Sequence, residues 1–121
     1  MLKQEYLQIK ALELAPDVYV CGQLFETDLR LIAEQGVRSI VNNRPDDESE
    51  GQPLSADLAR TAAEFGMEFV CFPVAPGRLS QQDVEAFARR CHELERPLLL
   101  FSRTGRRSIK IWEQAEALQP R

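Results

Sequence analysis

A chain of 121 residues has room for one domain around a single three-layer core, residues 1–121, and leaves little for a second. Hydrophobic residues at 44% and charged residues at 28% fit a globular protein, and no apolar run approaches the roughly 20 residues of a bilayer span, so no membrane partner is expected. With 19 acidic against 15 basic residues the net charge is −4, which argues against a nucleic-acid partner.

The first ten residues, MLKQEYLQIK, hold no apolar stretch followed by a small-residue cleavage site, which points to a cytoplasmic location. EYLQIKALELAPD reads as an antiparallel edge strand closed by a turn at Pro16 and Asp17. VYVCG at 18–22 is apolar and β-branched, a strand. TDLRLIAEQG then reads as a helix with Thr27 as N-cap and Gly36 just past its end. VRSIVNN is a second strand, and SADLARTAAEFG a second helix, capped by Ser55 and closed by Gly66. MEFVCFPV is a third strand, ending at Pro73 or Val74.

The capping box from Ser80 to Asp83 opens the clearest helix, with Val84, Phe87, Ala88, Cys91 and Leu94 on one face. PLLLFS is apolar throughout, as befits a central strand covered on both faces. RSIKIWEQAEAL is the last helix, turning Ile109, Trp112 and Ala115 inward. Repeated strand-helix units predict an α/β fold of three layers, a mostly parallel sheet of four to five strands flanked by helices. The polar stretch RPDDESEGQP, 44–53, is the one long loop and follows a strand's carboxyl end, the side where such sheets bind ligands.

Cys21, Cys71 and Cys91 are widely spaced and accompany a single histidine, so no zinc site is expected and ordinary burial is. Nothing calls for a metal or an organic cofactor. His92 lies on a helix before the last strand, so a Ser-His-Asp arrangement at Ser102 is not expected.

The loop SRTGRRS, 102–108, joins the apolar strand to the last helix, where a helix amino terminus offers free N–H groups and a positive dipole end to an anion. Gly105 lets the backbone curl so that the N–H groups of Arg103, Thr104, Gly105, Arg106 and Arg107 form an anion nest. The planar fork of Arg107 can hold two oxygens of a phosphate. Ser108 can hydrogen-bond residue 102 or cap the helix. The side chains of Arg103 and Arg106 are expected in solvent, or selecting an acidic partner.

FSRTGRRS resembles the phosphate-binding loop of the cysteine-dependent phosphatases, in which a cysteine, a glycine-bearing stretch, an arginine and then Ser or Thr follow a buried strand. YVCGQL, IVNNRPDDE, GQP, the PV after the third strand and RTGRRS together resemble the beta-lactamase-hydrolase-like family, over about residues 17 to 113. The resemblance implies the fold of dual-specificity tyrosine phosphatases, a phosphate-bearing small molecule or phosphoprotein as partner, and a nucleophilic cysteine at the position of Ser102. Serine there, whether an engineered or a natural replacement, removes the phosphocysteine route and leaves oxyanion binding intact.

Four residues separate Ser102 from Arg107, one fewer than the usual tyrosine-phosphatase loop, a spacing also similar to rhodanese sulfurtransferases. Three functions therefore stand: a phosphatase-like hydrolase without its nucleophile, a natural phosphate-binding or phosphoprotein-binding module, and a sulfurtransferase relative. Asn43 and Arg44 are expected to line the crevice, Arg44 alternatively pairing with neighbouring aspartates. For a general acid, Asp83 is better read as a helix cap, which leaves Asp46 or Asp47 of the long loop.

Overall fold

The computed structural model describes residues 10–75, 77 and 79–118. Residues 5–9 of the expected edge segment, with the rest of the amino-terminal stretch, lie outside the described residues, as do Pro76 and Arg78. In chain order the elements are β1 (Leu12–Ala15), β2 (Val18–Cys21), α1 (Glu26–Glu34), β3 (Ser39–Asn42), α2 (Ser55–Glu64), β4 (Glu68–Cys71), α3 (Gln81–His92), β5 (Leu98–Phe101) and α4 (Arg106–Ala117). Among the described residues no helix is long and apolar enough to cross a membrane.

The five strands form one sheet in the order β1-β2-β5-β3-β4, with β1 antiparallel to β2 and the other pairings parallel. The apolar PLLLF run thus sits in the middle, as its lack of polar residues requires. Its side chains alternate between two cores. Leu99 and Phe101 pack with Leu29, Ile32, Leu58 and Ala62 of α1 and α2, whereas Leu98 and Leu100 pack with Val84, Phe87, Ile111 and Trp112 of α3 and α4. All four of these strand residues are fully buried. Burying a Leu or Phe side chain contributes about 1.5–3 kcal/mol, so β5 is the spine that both helical layers share.

This layering positions the site. The loop after β3 leads to α2 on one face, and the loop after its neighbour β5 leads to α4 on the other. Where adjacent connections diverge in this way, a crevice opens outside the carboxyl ends of the strands.

Two helix starts differ from those expected. The N-cap of α1 is Phe25, not Thr27, because the Asp28 carboxylate reaches back to accept the Phe25 N–H at 2.8 Å. Leu54 precedes α2 in the N-cap position and Ser55 is its first residue; the Ser55 N–H is met by Asp46 Oδ1 at 2.9 Å, a cap supplied by the long loop. β4, the strand expected over MEFVCFPV, ends at Cys71, since Pro73 has no N–H to extend the ladder, although the Phe72 and Val74 N–H groups still reach Asn42 and Asn43 carbonyls at 2.8 Å. Cys21 and Cys91 are buried, but Cys71 is exposed, because β4 lies at the sheet's edge and its outer residues are uncovered.

Candidate functional site

At the end of β5 the chain turns at once. Ser102 is fully buried, and its Oγ accepts the Gly105 N–H at 3.1 Å, closing the loop on itself. Gly105 has φ +93°, and a Cβ there would lie 3.2 Å from the Cys21 carbonyl oxygen and 3.5 Å from Val20 Cγ2. Only glycine satisfies both the left-handed backbone and that close approach. Opposite it, a Cβ on Gly22 would lie 3.2 Å from the Arg103 carbonyl oxygen, which accepts the Gln23 N–H at 3.2 Å. The loop therefore rests backbone against backbone on the segment that leaves β2.

Gly105 is also the N-cap of α4, and no side chain caps that helix. Among the described residues, the backbone N–H groups of Arg103, Thr104, Arg106, Arg107 and Ser108 donate no hydrogen bond. Five backbone N–H groups without a partner among the described residues thus lie around one turn, at the positive end of a twelve-residue helix. Of the loop residues expected to bind phosphate, Arg103 to Ser108, only Gly105 has its N–H engaged, by Ser102 Oγ. The side chains of Arg103, Thr104 and Arg106 are exposed, with no hydrogen bond or ion pair among the described residues.

Arg107 points back across the crevice. Its Nη1 donates to Glu48 Oε2 and its Nη2 to Glu48 Oε1, both at 2.7 Å, and Nη1 also reaches the Val74 carbonyl oxygen at 3.2 Å. Arg44 is buried and takes the same carboxylate from the other side, with Nε donating to Glu48 Oε1 at 2.9 Å. Its remaining nitrogens donate to Gln23 Oε1 at 2.9 Å and Ser49 Oγ at 2.7 Å. The alternative expected for Arg44, pairing with a neighbouring aspartate, gives way to pairing with Glu48, four residues along the loop, whose carboxylate also meets Arg107. Hydrogen bonding from Arg107, with a further share from Arg44, outweighs burial and holds the Glu48 carboxyl down to about 2.

Ser108 reaches neither residue 102 nor the helix end. Its hydroxyl donates to Asn43 Oδ1 at 2.7 Å, and both side chains are fully buried. Asn43 Nδ2 donates in turn to the Phe72 carbonyl oxygen at 2.9 Å, and the Asn43 N–H to that of Phe101 at 2.8 Å. The first turn of α4 is thereby tied to the ends of three strands. Asn42 supports the same corner, accepting the Arg44 N–H at 2.8 Å and donating to Ser55 Oγ at 3.2 Å.

Of the two acids expected near the crevice, Asp46 caps α2 and Asp47 occupies an exposed left-handed turn position at φ +65°. Asp83 completes its capping box with Ser80, as expected. Burial pushes the Cys91 thiol up to about 12 and the Cys21 thiol upward as well, so neither supplies a thiolate. His92 is exposed at the carboxyl end of α3, which the topology puts at the opposite end of the sheet. Gln23, Glu48 and Ser49 lie within quoted stretches, YVCGQL, IVNNRPDDE and RPDDESEGQP, but nothing in the sequence singled them out as site residues.

A family model described as the beta-lactamase hydrolase-like protein, phosphatase-like domain, matches residues 11–119. The beta-lactamase hydrolase-like protein of Agrobacterium fabrum is 30% identical over 113 residues, 93% of this chain and 26% of that protein, so the chain spans about a quarter of the length of the curated relatives it matches. A solved structure of a candidate phosphatase from Neisseria meningitidis is 33% identical, with a TM-score of 0.80 over 90% of this chain and 79% of the other. TpbA of P. aeruginosa, solved with a cysteine replaced by serine and in complex with phosphotyrosine, is 15% identical and shares the fold at a TM-score of 0.60 over 87% and 58% of the two chains.

Proposed function

The chain belongs to the family of the beta-lactamase hydrolase-like protein, phosphatase-like domain, and from that premise we propose that it binds the phosphate group of a phosphate-bearing small molecule or phosphoprotein without hydrolysing it. The observation that carries this reading is the turn of five N–H groups without a partner among the described residues, at the start of the helix that carries Arg107. A tetrahedral oxyanion presents more acceptor oxygens than any side chain, and an unpaired ring of donors next to a cation matches it. Occupancy by a phosphate would satisfy groups that nothing else among the described residues satisfies.

Ser102 stands where a nucleophile would be needed. A cysteine in that position would be held as thiolate by the helix terminus and Arg107, whereas the same influences leave a serine hydroxyl protonated near neutral pH. The Ser102 Oγ also accepts the Gly105 N–H, a use that shapes the loop. Glu48, the carboxylate nearest the cradle arginine, is ionised at neutral pH and so has no proton to give a leaving group. Binding without turnover is what these groups can do together, and phosphotyrosine held by the serine form of TpbA is the precedent for it.

Titrating inorganic phosphate by calorimetry into the wild-type chain and into Arg107→Ala tests the reading. A charge-assisted contact of this kind contributes about 1.5–3 kcal/mol, so the variant is expected to lose roughly that much affinity. Equal affinity in the two proteins would remove the cradle from consideration.

A further inference from the structure

Resting on the oxyanion reading above, we propose that Glu48 is a positioning residue that presents one chosen edge of Arg107 to the phosphate. A guanidinium has five N–H bonds in a fixed plane. Glu48 takes one from each terminal nitrogen, and the Val74 carbonyl takes the second from Nη1. Two donors have no partner among the described residues, the Nε–H and the second Nη2–H. These lie parallel on the side edge of the fork and are spaced for two oxygens of one phosphate. The carboxylate and the ligand therefore use different edges and do not compete for the same donors.

Glu48 is itself held. A ring of hydrogen bonds starts at the Arg103 carbonyl in the cradle, which accepts from the Gln23 N–H, and continues from Gln23 Oε1 to Arg44, from Arg44 Nε to Glu48, and from Glu48 back to Arg107. The ring begins and ends on the cradle loop and passes through the buried Arg44. Two positive guanidinium groups and one carboxylate leave it with a net positive charge, so the ligand's field is not cancelled. An arginine fixed in this way loses little side-chain freedom on binding, a saving of about three- to tenfold in affinity for a long side chain.

The discriminating variant is Glu48→Asp, which keeps the charge and shortens the arm by one methylene. Inorganic phosphate titrated into wild type and Glu48→Asp by calorimetry is expected to bind about three- to tenfold more weakly to the variant. In nitrogen-detected spectra, wild-type Arg107 should show hindered guanidinium rotation and an Nε–H resonance that moves on adding phosphate. In Glu48→Asp the hindrance should be lost while the core methyl spectrum stays unchanged, a combination that general destabilisation does not produce. Tighter phosphate binding by Glu48→Asp would instead mark Glu48 as an internal competitor, and unchanged binding would mark it as a bystander; either overturns the proposal. Arg107→Ala runs alongside as reference: if it too binds like wild type, the oxyanion reading itself fails.

Discussion

Helices α3 and α4 flank the same core and each runs twelve residues, yet their amino termini are built in opposite ways. At α3 the Ser80 hydroxyl accepts the Asp83 N–H at 3.0 Å and the Asp83 carboxylate accepts the Ser80 N–H at 3.3 Å, so the end is closed by its own side chains. At α4 the N-cap is a left-handed glycine, no side chain caps the end, and three of its leading N–H groups with two from the loop stay open. An open helix end forgoes the stabilisation that a side-chain cap gives, about 1 kcal/mol. The contrast separates two uses of a helix end: the one at α3 is completed by its own side chains, and the one at α4 keeps donors for the oxyanion proposed above.

The sharpest way to probe this contrast is to place a sulfur at the open end. Ser102→Cys is expected to raise hydrolysis of an aryl phosphate on the order of a thousandfold over background, the scale on which a missing nucleophile matters. The aryl leaving group needs little protonation, so the ionised state of Glu48 does not prevent the assay from responding. Phosphate release at the background rate would mean that the open end is not poised for transfer.

Next in size is the backbone that keeps the end open. Gly105→Val places a β-branched side chain at φ +93° with its Cβ 3.2 Å from the Cys21 carbonyl oxygen. A strain of about 1–3 kcal/mol is expected in urea denaturation, together with loss of phosphate binding. Retained binding in a folded Gly105→Val protein would show that the cradle does not depend on this curl.

A third test uses pH. The Glu48 carboxyl is held at about 2, below its ordinary value of 4.5, chiefly by Arg107. A depressed carboxylate contributes stability that is fully present above the ordinary value and is lost as pH falls through the folded one. The excess of the wild-type urea midpoint over that of Glu48→Gln should therefore hold above about pH 5 and shrink toward pH 2. A gap that stays constant over this range would separate Glu48 from any electrostatic part in stability.

The smallest effect belongs to the closed end. Ser80→Ala removes one cap and should cost about 1 kcal/mol of stability while leaving phosphate affinity unchanged. A fall in affinity as well would mean that the two helix ends are coupled through the core they share.

What could be read along the chain is what is encoded within a turn or two of it. The strand and helix alternation, the central place of PLLLF, the Ser80 to Asp83 capping box and the glycine turn before α4 all depend on neighbours one to four residues away. Periodicity and capping are local physics, and they survive translation into a linear string. The family followed as well, since its motifs cluster at those same turns.

What only the tertiary structure decided are the partners joined across the crevice. Glu48 and Arg107 are 59 residues apart, Asn43 and Ser108 are 65 apart, and Arg44 and Gln23 are 21 apart. Asp46 read as a free acid on a polar loop, and it became a helix cap because the loop folds back onto Ser55. A run such as RPDDESE offers four carboxylates of nearly equal chemistry, and nothing in their order says which one meets an arginine. That choice belongs to the sheet, which brings the ends of β3 and β5 side by side and leaves Glu48 at the reach of both guanidinium groups.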